Sequence, residues 1–359
     1  MTRGRQLRQI EEREGQPLLS VEDLRTYFKT GHGIVRSLDG VSFDLERGKT
    51  LAVVGESGSG KTVLARSVMG LLPSENVIRQ GSVRFGDVDL TRATPAELRQ
   101  LWGAQISMVF QDPVTSLNPV VRVGRQLTEH LAYHLGMNRK EARRTALSLL
   151  RSVGIPEPEA RLRWFPHQLS GGMCQRVVIA AAIACGPKLL LADEPTTGLD
   201  VTVSAQILDL LERLQEERYM SVILVSHDLG VVSGRADEVI VMYAGQIVEQ
   251  APTAAIFSDM KMPYTEALLR SVPRLTNQAH TRLPTIPGTP PNPAALPEGC
   301  RFAARCPYVQ PRCRTEPPPL REAGPRHRFA CWYPVGSPEA LQALEANKAA
   351  GLPAAKAAV

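Results

Sequence analysis

Hydrophobic and polar positions change period several times along the chain, and each change marks an element. From about Ser20, the segments LRTYF, VSFDL and TLAVVG read as strands separated by glycine-containing turns. TLAVVG is short, apolar and β-branched and ends at glycine, as a buried central strand does. The pattern then turns helical: in KTVLARSVMGLL, Val63, Leu64, Val68 and Leu71 are spaced for one face. Residues 90–185 read as helix-rich, and RKEARRTALSLLRSVGI carries apolar residues at i, i+3 and i+4 under a basic outer face. Beyond them KLLLADEP is a buried strand and VTVSAQILDLLERLQEER a helix. SVILVSH is a further strand, and ADEVIVMYAGQIVEQ is two strands around a turn at Ala244-Gly245. Strands alternating with helices, interrupted once by a helical block, describe an α/β core carrying a helical subdomain.

Composition bounds the rest. At 359 residues, the chain suits one large domain with an appendage, or two domains. The net charge of +6 is compatible with nucleic acid, an anionic membrane face or a phosphate ligand, and it selects none of them. No apolar run approaches the roughly 18 residues of a membrane span. The start, MTRGRQLRQIEEREG, is polar and mixed in charge, unlike a secretory signal, so a cytoplasmic protein is expected. Of 28 prolines, 15 lie between Pro273 and Pro338, together with four of the six cysteines. That shift predicts a boundary near 272. The expected organisation is a flexible tail at 1–15, a core domain at 16–271, a Cys-rich C-terminal domain at 272–338 and an Ala-rich flexible tail at 339–359.

Candidate chemistry starts at GESGSGKT, residues 55–62, which match G-x-x-x-x-G-K-[ST] between a predicted strand and a predicted helix. Gly55, Gly58 and Gly60, with Glu56, Ser57 and Ser59 between them, let backbone N–H groups turn inward as an anion nest at a helix start. Lys61 suits the β- and γ-phosphates of a nucleotide, and the Thr62 hydroxyl suits Mg²⁺. A second acidic element ends the strand 189–192. Asp193 there suits Mg²⁺, directly or through water, and Glu194 suits a general base for an attacking water.

Six motifs then occur in order: GESGSGKT (55–62), FQDP (110–113), LSGGM (169–173), LLLADEP (189–195), TTGLD (196–200) and SHD (226–228). Over about residues 18–271, this set resembles the ATP-binding subunits of ATP-binding-cassette (ABC) transporters. The resemblance implies a P-loop cassette with a RecA-like core sheet, an N-terminal antiparallel β part and a helical subdomain. It also implies a head-to-tail dimer with ATP sandwiched between cassettes. Carried over, Gln111 would sense Mg²⁺ and face the membrane subunits, and Ser170, Gly171 and Gly172 would cap ATP held by the opposite subunit. Asp200 would lie in the loop crossing between subunits, His227 would contact the γ-phosphate, and Phe28 (Tyr27 as alternative) would stack on adenine. LSGGM precedes a good helix, so its amides and positive dipole end also favour an anion on physical grounds. Met173 stands where many cassettes have glutamine, as in the peptide-importer branch.

The cysteine segment, with GCRFAARCPYVQPRC and HRFACWYP, holds Cys300, Cys306, Cys313 and Cys331 in the spacing C-x5-C-x6-C-x17-C. A segment so rich in proline cannot bury much core, so a staple is expected. In a reducing compartment four clustered cysteines favour a metal. The spacing names none, leaving an iron–sulfur cluster ([4Fe–4S]), zinc, and free thiols or a disulfide open. The segment also resembles the C-terminal extension of oligopeptide/dipeptide importer ATPases. The resemblance therefore implies an ATP- and Mg²⁺-dependent ATPase energising peptide import at the cytoplasmic face of the inner membrane. Its partners would be two permease subunits, a second ATPase subunit and, through the permeases, a solute-binding protein. Importers of nickel or oligosaccharides share the extension and remain an alternative. A nucleic-acid-directed cassette ATPase should carry a long heptad insertion or zinc modules inside the cassette, and neither appears, so no nucleic-acid partner is expected.

Overall fold

The computed structural model describes residues 15–31, 33–73, 75–272 and 285–356. The N-terminal tail expected at 1–15 lies outside them except for Gly15. In chain order the first strands are β1 (Leu19–Thr30), β2 (Gly33–Leu45), β3 (Thr50–Val54), β4 (Val77–Phe85), β5 (Val88–Asp89) and β6 (Ile106–Val109). They are followed by β7 (Leu189–Asp193), β8 (Ser221–Ser226), β9 (Glu238–Tyr243), β10 (Gln246–Pro252), β11 (Arg321–Gly324) and β12 (His327–Phe329). Two sheets result: an antiparallel one, β2-β1-β4-β5, and an eight-stranded one, β11-β12-β10-β9-β3-β8-β7-β6. Within the larger sheet, β6, β7, β8, β3 and β9 run parallel.

The parallel strands are apolar on both faces because both are covered. In β3, Ala52 and Val54 enter one core and Leu51 and Val53 the other; Leu190 and Ala192 of β7 oppose Leu189 and Leu191 in the same way. This period-2 division needs hydrophobic residues at every position, which explains why TLAVV and LLLAD show no polar alternation. The smaller antiparallel sheet and the helix Lys61–Met69 close one core. The helical lobe, including Val123–Leu135, Arg139–Ser152 and Gly171–Ala182, closes the other. The turn between β9 and β10 falls at Ala244 and Gly245, with φ of +46° and +85°.

Three expectations change. The helix-rich block drawn at 90–185 contains a core strand, β6, paired in parallel with β7; four residues, ISMV, are too few to register against the surrounding helical period. Among the described residues, 285–338 form no core of their own. Phe302, Cys306, Tyr308, Cys313, Phe329 and Cys331 join the same buried cluster as Ala52 and Val54 of the central sheet, and β12 extends that sheet through Glu249↔Phe329 and Gln250↔Arg328. The stretch expected as a flexible tail, 339–359, carries helices Pro338–Ala349 and Pro353–Lys356. The first is held by buried Ala340, Ala343 and Leu344 and by Asn347, whose Nδ2 donates to Pro307 O and Val309 O at 2.9 Å each.

The iron–sulfur expectation, with zinc as its alternative, is also corrected. Among the described residues, no group of three or more His, Cys, Asp or Glu side chains is arranged to hold a metal ion. Cys306, Cys313 and Cys331 are buried and Cys300 is half-buried, all as free thiols packed in the shared core. Burial pushes Cys300 up to about 11, Cys331 up to about 12 and Cys306 well above its ordinary value. The staple that the proline content seemed to require is supplied by the core of the main sheet. Among the described residues, no helix is long and apolar enough to cross a membrane.

Candidate nucleotide site

The phosphate loop joins β3 to the helix Lys61–Met69 and is wedged between β2 and β9. A Cβ on Gly55 would lie 2.3 Å from Met242 O, and one on Gly60, whose φ is +106°, would lie 2.5 Å from Ser37 O. Only glycine fits such a close approach and such a backbone. Lys61 is buried at 4% exposure, and its ammonium donates to Gly55 O at 2.8 Å and Glu56 O at 3.0 Å. Burial pulls its pKa down, while the nearby carboxylates of Glu194, Asp193 and Glu56 push the other way. Ser59 Oγ is buried without a hydrogen-bond partner inside the loop.

The acidic element meets this loop from β7. Thr62 Oγ1 donates to Asp193 Oδ1 at 3.1 Å. Asp193 is 1% exposed, and its pKa is pushed up by burial and further by Glu194, against the lowering effect of the Thr62 hydrogen bond. Glu194 sits at φ +47°, a left-handed backbone uncommon for a non-glycine residue. One of its oxygens, Oε2, is met by Gln111 Nε2 at 3.0 Å, Thr197 Oγ1 at 3.0 Å and His227 Nδ1 at 3.2 Å. Its other oxygen lies 3.9 Å from Lys61 Nζ. His227 follows β8, the neighbour of β7, so the sheet order itself brings it beside Glu194.

A cavity of about 440 Å³ opens over these groups. Residues 56–63, Gln111 and Glu194 line it, together with Arg36, Ser37, Tyr243, Ala244, Gly245, Pro290, Pro291 and Pro293. Chemically this is an anion nest with a buried cation and an oxygen-rich corner at Thr62 and Asp193, the donor type a hard divalent cation takes. Phe28 and Tyr27 do not line the cavity. Tyr27 instead donates its hydroxyl to Asp39 Oδ1 at 2.6 Å.

The remaining candidates form a second group. Ser170 caps the helix Gly171–Ala182, accepting from Met173 N at 3.3 Å, and Asp200 caps the helix Val201–Arg218, accepting from Val203 N at 2.9 Å. The two starts abut: a Cβ on Gly172 would lie 2.7 Å from Val203 Cγ1, and one on Gly171 3.5 Å from Leu199 Cδ2. None of these residues lines the cavity. Conversely, sequence reasoning missed Arg36, Tyr243 and the three prolines of the cavity wall. It also missed Arg305, which pairs with Glu56 across 249 positions of sequence. No local pattern announces a pairing at that separation.

Comparison with known proteins agrees in family along most of the chain. The model of the ABC transporter family matches residues 38–197, and that of the oligopeptide/dipeptide transporter C-terminal region matches residues 248–313. The chain is 48% identical over 304 residues to the oligopeptide transport ATP-binding protein AppD of Bacillus subtilis, covering 84% of this chain and 92% of that protein. It is 46% identical over 318 residues to the dipeptide transport ATP-binding protein DppD of Escherichia coli, covering 89% and 97%. Among solved structures, the dimeric post-hydrolysis state of the ATP-binding cassette MJ0796 bound to ADP and Pi superimposes with a TM-score of 0.59 at 27% identity, over 66% of this chain and 98% of that one.

Proposed function

Because the chain belongs to the family of ABC-transporter ATP-binding proteins, we propose that it hydrolyses ATP in the cavity over residues 55–62 to power peptide import through membrane partners. The family assignment carries the ATPase activity, and relatives at 46% and 48% identity are named for dipeptide and oligopeptide transport. The observation that supports the residue roles is the convergence of Gln111, Thr197 and His227 on one oxygen of Glu194, whose other oxygen lies 3.9 Å from buried Lys61.

In this reading Gly55 to Thr62 cradle the triphosphate through backbone amides, and Lys61 turns from its loop carbonyls to the β- and γ-phosphates. Thr62, Asp193 and Gln111 would hold Mg²⁺, which would supply neutralisation of charge on the phosphates. Glu194 accepts the proton of the attacking water; the donors on its other oxygen fix the carboxylate so that the free oxygen faces the cavity. His227 holds Glu194 from the solvent side, being 58% exposed in the single chain. Ser170, Gly171, Gly172 and Asp200, remote from the cavity, suit a nucleotide held by a second ATPase subunit.

The complex we propose has two permease subunits and a solute-binding protein beyond them, with this subunit peripheral on the cytoplasmic face. Exposed Phe110, Val114 and Val120, at 39%, 61% and 79%, flank Gln111 and give the permeases an apolar landing close to the catalytic corner. A neighbouring cavity of about 600 Å³ is lined by Arg122, Arg125, Arg139, Arg143 and Arg163, which suits an acidic element of such a partner. The test is reconstitution with the permeases and binding protein in vesicles. MgATP should drive accumulation of di- or oligopeptides, and Lys61→Ala should abolish both uptake and phosphate release. Hydrolysis without peptide uptake would move the substrate to another solute.

A further inference from the structure

Residues 285–306 reach the nucleotide cavity, although they lie far from every motif that identifies it. Arg305 is 4% exposed, and its guanidinium forks onto the second residue of the phosphate loop. Nη1 lies 2.6 Å from Glu56 Oε2 and Nη2 lies 2.9 Å from Glu56 Oε1. The fork is held from behind by Pro287 O, which accepts from Nε at 2.9 Å, and from the side by the Tyr243 hydroxyl at 3.2 Å. The backbone of Glu56 is fixed as well, its N–H donating to Tyr264 Oη at 2.8 Å. Phe302 packs 5.3 Å from both the Tyr243 and Tyr264 rings, tying the same turn of chain into the floor beneath the loop.

The proline stretch just before it forms part of the cavity wall. Pro290, Pro291 and Pro293 line the cavity together with residues 56–63. The stretch is anchored to β2, where Arg36 N donates to Pro293 O at 3.1 Å. Arg301 pins the following turn by donating to Ala244 O at 2.5 Å and pairing with Asp39. Two consequences follow from elementary chemistry. Glu56 would present an unpaired carboxylate beside a polyanionic ligand, and Arg305 neutralises it with bidentate geometry. The three proline rings are an apolar part of the lining, so they suit the nucleoside end of the ligand, not its charged end.

We propose that residues 285–305 complete the nucleotide site, with Pro290, Pro291 and Pro293 as the wall against the nucleoside and Arg305 as a positioning residue that holds the phosphate loop through Glu56. The inference rests on the nucleotide-site reading above and adds a segment outside all the cassette motifs. Nucleotide affinity is then coupled to the seating of the C-terminal segment, because the contacts that anchor this segment are the ones that shape the loop.

Calorimetric titration of the full-length protein with MgATP and with Mg-tripolyphosphate, which has no nucleoside, tests it. Arg305→Ala should weaken both ligands about tenfold, and adding Glu56→Ala to it should restore most of the loss, since the stranded carboxylate is then gone. A residue needed only for folding would not be rescued by a second deletion. Pro291→Ser, at a half-buried wall position, should weaken MgATP about threefold and leave tripolyphosphate unchanged. If Arg305→Ala does not fold, Arg305→Lys, which keeps the charge without the fork, should show a smaller loss of the same kind. Unchanged affinities in the arginine and proline variants, with wild-type binding abolished by Lys61→Ala, overturn this inference alone. Wild-type binding that is insensitive to Lys61→Ala overturns the nucleotide-site reading beneath it.

Discussion

Replacing Glu194 by glutamine removes the proposed general base while keeping its shape. The side chain is 12% exposed, and its Oε2 gathers three donors, from Gln111, Thr197 and His227. A glutamine can turn its single carbonyl oxygen toward those donors, which leaves the NH₂ facing the cavity and Lys61. The fold therefore keeps its hydrogen bonds, but the cavity gains a donor where it needs an acceptor for the water's proton. General-base catalysis is worth about 10²–10⁴-fold, which corresponds to about 3–5.5 kcal/mol on the barrier. Binding should move the other way: one negative charge leaves the vicinity of the triphosphate and of Lys61 Nζ, 3.9 Å away. The expected outcome is phosphate release reduced about 10²–10⁴-fold with MgATP affinity equal to or tighter than wild type. Steady-state phosphate release, measured beside calorimetric titration of MgATP, separates the two effects. Turnover above a tenth of wild type would place the base elsewhere, and a parallel loss of affinity would show that Glu194 holds the loop together and does not act on water.

Other expectations follow from local geometry. Gly60→Ala puts a Cβ 2.5 Å from Ser37 O at φ +106°, so the phosphate loop must deform; MgATP binding should disappear in titration while circular dichroism still reports a folded chain. Ser170→Ala removes the cap of the helix Gly171–Ala182, costing about 1 kcal/mol and lowering the thermal midpoint by about 2 °C in a chain of this size. Asp200→Ala should cost a similar amount at the helix Val201–Arg218, and the same melting experiment with both variants tests whether the losses add. Chelation with excess EDTA should stop phosphate release completely and leave circular dichroism unchanged, because the Thr62 hydroxyl donates directly to Asp193, a pairing that holds this corner without a cation.

Much of the site was legible in sequence because its parts are contiguous. A strand, a glycine loop and a helix start are a single local construction, so residues 55–62 could be assigned without tertiary information. The same holds for the helix starts capped by Ser170 and Asp200 and for the acidic end of β7. The adenine role carried over to Phe28, with Tyr27 as alternative, rests on resemblance alone: neither lines the cavity, and Tyr27 donates to Asp39.

Sequence alone therefore determined where the glycine loop and its lysine would sit and which carboxylates stand beside them, since those choices are local in chain and in space. Only the tertiary structure decided what the proline- and cysteine-rich segment is. Composition suggested a separate unit stapled by metal, but packing places Phe302, Cys306 and Cys331 in the cassette's own core and Arg305 on its phosphate loop. The physical reason is the range of the interactions. Hydrogen-bonded turns and caps are satisfied within a few residues. Burial of an apolar side chain, or pairing of Arg305 with Glu56, depends on what the whole fold brings within a few ångströms.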